Sequence, residues 1–318
     1  FDLISYFSHN YFECRLIVSS QKARTKSMLI FFQPKMIYSS PDEAQTIIID
    51  NGSSLIKSGF AGDEAPSNVF PSIVGRYRYV KFINGSFEEP YAGDIALAKA
   101  AVDVDKTNNI LLKFPIEHGI VTNWDYMERI WHYTFYDKLR VDPTEHPLLI
   151  TEHAENPKSD REKMAQIMFE TFNIPSLYVG VDNVLSLYSV GRTTGIVCDI
   201  GGGVSHVMPI KDVKGSPSYL TGKNIRHNIG GRDLTNRFGE LLNDRGYTFT
   251  TILEMETVRE IKEKHSYVAL DYEKELQKSY STHNDDVSYT LPDGNIVKFS
   301  DETFRCPELL FKPQMNGF

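Results

Sequence analysis

Apolar and polar positions along this chain follow two rhythms, one of strands and one of helices. The run Ile47-Ile48-Ile49 is continuous and β-branched, the mark of a strand buried on both faces. It breaks at Asp50-Asn51-Gly52-Ser53-Ser54, and Leu55-Ile56 begin a return strand. Residues 47–60 therefore predict a hairpin with a small tip rich in donors. Phe60-Ala61-Gly62-Asp63 reads as a turn and residues 66–75 as extended chain. The aromatic-rich stretch 76–90 carries Asn84-Gly85, a hairpin-turn signal.

Alanines at 96, 98, 100 and 101 make residues 94–106 helical. Asn123 caps an amphipathic helix from Trp124 to about Leu139, with Met127, Ile130, Trp131, Thr134, Phe135 and Leu139 on one face. Residues 147–151 form a short apolar strand. Pro157 sits in the first turn of the next helix, whose stripe is Met164, Ile167, Met168 and Phe172. A buried strand, Leu177 to Val181, precedes a short helix over 182–190. Residues 195–199 are strand again, turning at Gly201-Gly202-Gly203 into a return over 204–210. Gly230-Gly231-Arg232-Asp233 opens a helix to about Asn243, Thr251 caps another from Ile252 to about His265, and Pro292-Asp293-Gly294 closes a late hairpin. Strands alternating with helices throughout define an α/β protein.

Composition narrows the picture. The 318 residues carry 34 Lys and Arg against 42 Asp and Glu, so 34 − 42 = −8, which disfavours a general nucleic-acid binder. Three scattered cysteines, Cys14, Cys198 and Cys306, show neither a disulfide framework nor metal-ligand spacing and fit a reducing compartment. No uninterrupted apolar run is long enough to span a bilayer. Residues 1–35 mix aromatic and basic residues without periodicity. They are expected to be a poorly packing, non-native leader, with Met36 as the natural start.

The first hairpin has chemistry in its tip. Gly52 lets the backbone approach a bulky anion, and Ser53 with the neighbouring amides offers hydrogen bonds to phosphate oxygens. Asp50 at the strand end suits Mg²⁺ held through water, and Lys57 can reach back as a point charge. The bland alternative is a plain Asn-Gly turn. The strand ending in Asp199, with its glycine tip and apolar return, repeats the design. Two such hairpins facing each other could clamp a triphosphate.

The runs Ile48-Ile49-Asp50-Asn51-Gly52-Ser53, Ser58-Gly59-Phe60-Ala61-Gly62-Asp63 and Val69-Phe70-Pro71-Ser72-Ile73-Val74-Gly75-Arg76 resemble the actin family. So do Phe114 through Asp125, Arg161 through Asn173, Leu185-Ser186-Leu187-Tyr188, Gly191 to Val197, Gly231 to Thr235, Val258 to Asp271, and Phe304 through Glu308. The resemblance covers nearly everything from about Ile47 onward. It implies the actin-like ATPase fold, two related domains around a nucleotide cleft, incomplete at the C-terminus. Residues 36–189 would be the small domain, with 72–114 its outer part, and 190–318 a truncated large domain.

Carried over by position, Asp50, Gly52, Ser53, Ser54 and Lys57 form one phosphate hairpin, and Asp199, Gly201, Gly202, Gly203 and Val204 the other. Asp50 and Asp199 would hold Mg²⁺ through waters. Gly231, Arg259, Lys262 and Glu263 match residues around ribose and adenine, and His206 one near the attacking water. His118 matches a histidine that many actins methylate, and equally fits a loop histidine bonded to backbone. The resemblance further implies ATP or ADP with Mg²⁺ as ligands, a cytoplasmic, cytoskeletal role, and actin, the chain itself or actin-binding proteins as partners.

Four departures temper this. Ser54 stands where actin has glycine, crowding the approach to phosphate. Gly202 replaces a carboxylate, giving the Asp-x-Gly-Gly-Gly form of the wider superfamily. Asp182 replaces the glutamine that orients the hydrolytic water; a carboxylate only accepts, and it repels a terminal phosphate unless screened. Asp182 also fits the N-cap of the short helix. Finally, the sequence stops at Phe318, before the family's long last segment, which leaves apolar faces short of partners. Residues 79–90 occupy the place of the family's subunit-binding loop with an unrelated sequence. The expectation is an actin-like protein that binds nucleotide, hydrolyses it weakly and does not assemble on conventional geometry. The rivals are a non-polymerising scaffold holding nucleotide structurally and a small-metabolite kinase on the same fold.

Overall fold

The isoleucine run forms strand β1 (Ile47–Asn51), and its return is β2 (Leu55–Phe60). The structure, a computed structural model, describes residues 44–78, 82–83, 86–87, 89–102, 110–213, 216–219, 223–281 and 286–316. The expected leader over 1–35, the Asn84-Gly85 tip and the end of the first expected helix lie outside them. Mixed strands and helices in several sheets give the α/β architecture that the sequence predicts. The described chain separates into two compact units, one ending at His227 and one starting at Asn228.

The first unit is built on a five-stranded sheet. β1 lies at its centre, antiparallel to β2 and parallel to β4 (Leu148–Glu152); β3 (Asn68–Pro71) extends it beyond β2, and β5 (Leu177–Val181) beyond β4. A strand with parallel and antiparallel neighbours, covered on both faces, has no solvent side, which is why its residues do not alternate. Helix α1 (Gly93–Val102) packs on a small separate sheet of Val74–Tyr77, Tyr91–Ala92 and Ile110–Lys113.

The two predicted stripes supply the cover. Asn123 accepts from the Tyr126 amide at 2.9 Å and starts α2 (Trp124–His132). The periodicity predicts one helix to Leu139, but Tyr133–Leu139 winds as a wider π-helical run, ended by Arg140 in the left-handed conformation at φ 57°. Met127, Ile130, Trp131, Thr134 and Phe135 are nevertheless all buried. Helix α3 (Lys158–Glu170) buries Met164, Ile167 and Met168 in the same core, with Phe172 just beyond. Helix α4 (Asp182–Ser189) follows β5 and leads to β6 (Gly195–Ile200). β6 pairs with β7 (Ser205–Val213), which also holds Ser216–Tyr219 and Ile225–His227.

In the second unit, α5 (Gly231–Asp244) and α6 (Ile252–His265) pack around Phe238, Leu242, Val258, Ile261, Phe299 and Cys306. The Gly230 amide donates to Asp233 at 2.8 Å, and Thr251 with Glu254 forms a reciprocal capping box at the start of α6. The expected late hairpin is Val287–Thr290 against Ile296–Phe299, with Gly294 at φ 87° in its turn. Arg245 ties Glu302, Asp286 and Asp301 together beside this core.

Candidate functional site

The β1–β2 register places Lys57 directly across from Asp50, and Lys57 Nζ meets Asp50 Oδ2 at 2.9 Å. Asp50 Oδ1 accepts from the Thr151 hydroxyl at 2.7 Å, so both carboxylate oxygens are engaged from neighbouring strands. Asp50 above all, against the opposing effect of burial, holds the Lys57 ammonium above the usual lysine range. Asn51 locks the strand end: its amide donates to Thr151 Oγ1 at 2.9 Å, and Trp131 Nε1 donates to its side-chain oxygen at 3.1 Å. Gly52 is dictated by the turn itself, since a Cβ there would stand 2.3 Å from the Leu55 carbonyl oxygen.

The second tip, Gly201 to Val204, closes with the Gly201 amide donating to the Val204 carbonyl at 2.9 Å. It lies against the first. A Cβ on Gly202 would sit 2.2 Å from Ser54 Oγ, so the Ser54 side chain fills the space a side chain at 202 would need. Two of the departures from the family pattern are thus one exchange of volume between the tips. His118 and Gly119 join them: the Gly119 amide donates to Ser53 Oγ at 3.0 Å, and His118 Nδ1 lies 2.8 Å from the Gly203 carbonyl. Both residues have positive φ, 47° and 79°, which turns successive polar groups toward opposite hairpins. Arg226 donates to the His118 carbonyl at 2.7 Å and holds this turn from the strand Ile225–His227, which pairs with β7.

Asp182 is the first residue of α4 rather than its cap. Its Oδ1 accepts from the Asn183 amide at 2.7 Å, and Oδ2 forms an ion pair with His153 Nδ1. The His153 ring stacks on that of His206, with centroids 5.4 Å apart and planes 16° from parallel. Among the described residues neither Nε2 has a hydrogen-bond partner, and His153 Nδ1 meets Asp182 as a close ion pair rather than in hydrogen-bond alignment, although all three nitrogens are buried. Burial alone would lower the His153 pKa, but hydrogen bonding to Asp182 and the charges of Asp182, Asp199 and Asp50 raise it above the ordinary histidine value. His206 moves the other way, lowered by burial and by the charge of His153. Burial, then Asp182 and Asp50, push the Asp199 carboxyl upward. Three carboxylates therefore converge where Lys57 is the nearby cation and His153 is biased toward its protonated form.

In the second unit, Lys262 is buried, with Nζ donating to the Gly231 carbonyl at 2.8 Å and to Thr235 Oγ1 at 2.9 Å. Burial lowers its pKa. Arg259 is held by Glu256 at 2.8 Å and Glu263 at 3.0 Å along α6. The structure thus gathers Gly231 with Lys262, and Arg259 with Glu263, as neighbours within this unit.

Within the first unit of this α/β protein, two hairpins that each carry an Asp and a glycine tip meet tip to tip. The actin family model matches residues 41–318, and the chain belongs to that family. Sequence reasoning did not single out Thr151, Trp131, Gly119 or His153 as parts of this site. Only His118-Gly119 carried a local signal, a glycine after a polar residue where left-handed backbone is common.

Proposed function

We propose that this actin-family protein binds Mg·ATP or Mg·ADP, with the phosphates at the two hairpin tips, and turns the triphosphate over slowly. The observation that supports this best is the His118–Gly119 turn, which bonds to Ser53 of one tip and Gly203 of the other and so pre-sets their spacing. Ser53, the small backbone of Gly52 and Gly201 to Gly203, and Lys57 would meet phosphate oxygens. Asp50 and Asp199 are the oxygen ligands suited to Mg²⁺ held through water. Among the described residues no three side chains are arranged to grip an ion directly. The fit is electrostatic: Asp50, Asp182 and Asp199 together leave a carboxylate excess that a divalent cation relieves, and Asp199 is already pushed toward protonation without one. When bound, the ion would neutralise developing charge on the phosphates.

Asp182 and His206 take the place of groups beside the attacking water. Asp182 accepts a hydrogen bond from it, and His206, kept neutral by burial, adds no competing charge. The role would be cytoplasmic and cytoskeletal, with actin, the chain itself or actin-binding proteins as partners. No helix among the described residues is long and apolar enough to cross a membrane.

Calorimetric titration of the protein with ATP and with ADP, each with and without Mg²⁺, tests the reading. Mg²⁺-dependent binding lost in Asp199→Ala supports it, and heat-silent titrations with both nucleotides overturn it. Phosphate release and pelleting of the same samples separate a slow ATPase or polymer from a scaffold that only holds nucleotide.

A further inference from the structure

The sequence raises an electrostatic objection to Asp182: a carboxylate beside a terminal phosphate repels it unless something screens the charge. The geometry supplies a screen from within the chain. His153 follows the last residue of β4 and turns its Nδ1 onto Asp182 Oδ2. Its other face lies on His206, and Gly119 borders it so closely that a Cβ there would come within 2.2 Å of His153 Cδ2. The imidazole is therefore wedged between a glycine, a ring and a carboxylate, with little freedom to rotate. Asp182 is held equally firmly, by the Asn183 amide on one oxygen and His153 on the other.

We propose that His153 is a positioning and charge-compensating residue for Asp182, making the pair a neutral stand-in for an uncharged water-orienting side chain. This rests on the nucleotide reading above and deepens it. With His153 protonated, the pair carries no net charge, and Asp182 keeps free lone pairs for a water without opposing a third phosphate. With His153 neutral, or absent, the bare carboxylate faces the terminal phosphate, and a diphosphate is favoured over a triphosphate. Asp50, Asp182 and Asp199 act on His153 electrostatically, with His206 stacked upon it, and His206 in turn senses Arg226 and Glu155. Burial opposes them, and the net effect of these carboxylates is to move the His153 pKa upward, toward the protonated form.

The test is the ratio of ATP to ADP affinity, measured with Mg²⁺ across pH, for wild type, His153→Ala, His153→Gln, Asp182→Gln and the double variant His153→Ala/Asp182→Gln. Loss of the imidazole should lower the ATP:ADP affinity ratio by about tenfold, the order of effect of one uncompensated charge acting across a partly screened site. In wild type the same ratio should fall as pH rises. In the Asp182→Gln background, removing His153 should leave it unchanged. An unaltered ratio in His153→Ala and His153→Gln overturns the proposal, as does a loss of equal size in the Asp182→Gln background, which would mark a merely structural role. An independent readout is the ring-proton NMR titration of His153 in the nucleotide-free protein. Its pKa should drop in Asp182→Gln, and an unmoved titration overturns the pairing even if neither nucleotide binds. Failure of both nucleotides to bind wild type defeats the parent reading instead.

Discussion

The two hairpins of the first unit share a tip chemistry and differ in everything beneath it. β1 and β2 rest on Ile47, Ile49 and Ile56, all fully buried, and β1 gains a parallel neighbour in β4. β6 and β7 bury one face, where Met208 and Ile210 pack against Val184 and Leu187 of α4, while Ile196 (75% exposed), Cys198 and Ile200 (54% exposed) face outward. The same tip chemistry therefore does not require one kind of support. The first tip is set from below, by a sheet buried on both faces and by Thr151 and Trp131 gripping Asn51. The second is set from above, by His118 on the Gly203 carbonyl and by the Ser54 side chain against Gly202.

The largest expected effect tests the support of the first hairpin. Ile49→Ala should lower the urea-unfolding free energy of the first unit by about 3 kcal/mol, as a methyl-rich cavity in a close-packed core does. A change below about 1 kcal/mol would show that β1 is not the anchor it looks to be.

Next comes the contact between tips. Gly202→Ala should cost about 2 kcal/mol by overpacking against Ser54, and the Ser54→Gly background should restore most of it. A double-mutant cycle of melting temperatures measures this coupling, and additive losses would mean that the tips do not share the space.

A third test uses the stacked histidines, which bind protons in opposite senses. His153 has a raised folded-state pKa, so its stabilisation is complete below the unfolded value of 6.5 and is lost as pH rises through the folded value. His206 has a lowered one, so stability falls as pH drops below 6.5. Together they predict a stability maximum near pH 6.5, and His153→Gln should flatten the limb above it. A pH series of thermal melts in which that limb survives would contradict the assignment.

The smallest effect concerns the outward face of β6. Ile196→Ser should alter unfolding free energy by no more than about 0.5 kcal/mol, since the side chain is largely in water already. A loss comparable to that of Ile49→Ala would erase the contrast between the hairpins.

Much of this was legible in the sequence because it depends on local rhythm. The β-branched run, the stripes Met127-Ile130-Trp131 and Met164-Ile167-Met168, and the caps Asn123 and Thr251 are patterns within one or two turns, and each appears where its period predicts. The widened turns from Tyr133 were not, because the side-chain stripe stays buried whether the backbone winds with four or five residues per hydrogen bond. The repeated Asp-Gly tip was legible as chemistry. What joins the tips was not: a His-Gly turn, a lone histidine after a strand and a serine opposite a glycine acquire meaning only when distant segments meet. Ser54 and Gly202 were visible as separate oddities, and their shared volume required the fold.

That shared volume constrains the history of the site. If the starting arrangement had glycine at 54 and a larger residue at 202, as the family pattern has, the two replacements were not free to occur in either order. Serine first would have driven its hydroxyl into the opposing side chain, whereas glycine first would have left a small gap for the serine to fill. Glycine first is thus the cheaper order, by about the overpacking cost of the crowded pair, and a reversal is cheapest starting from the serine.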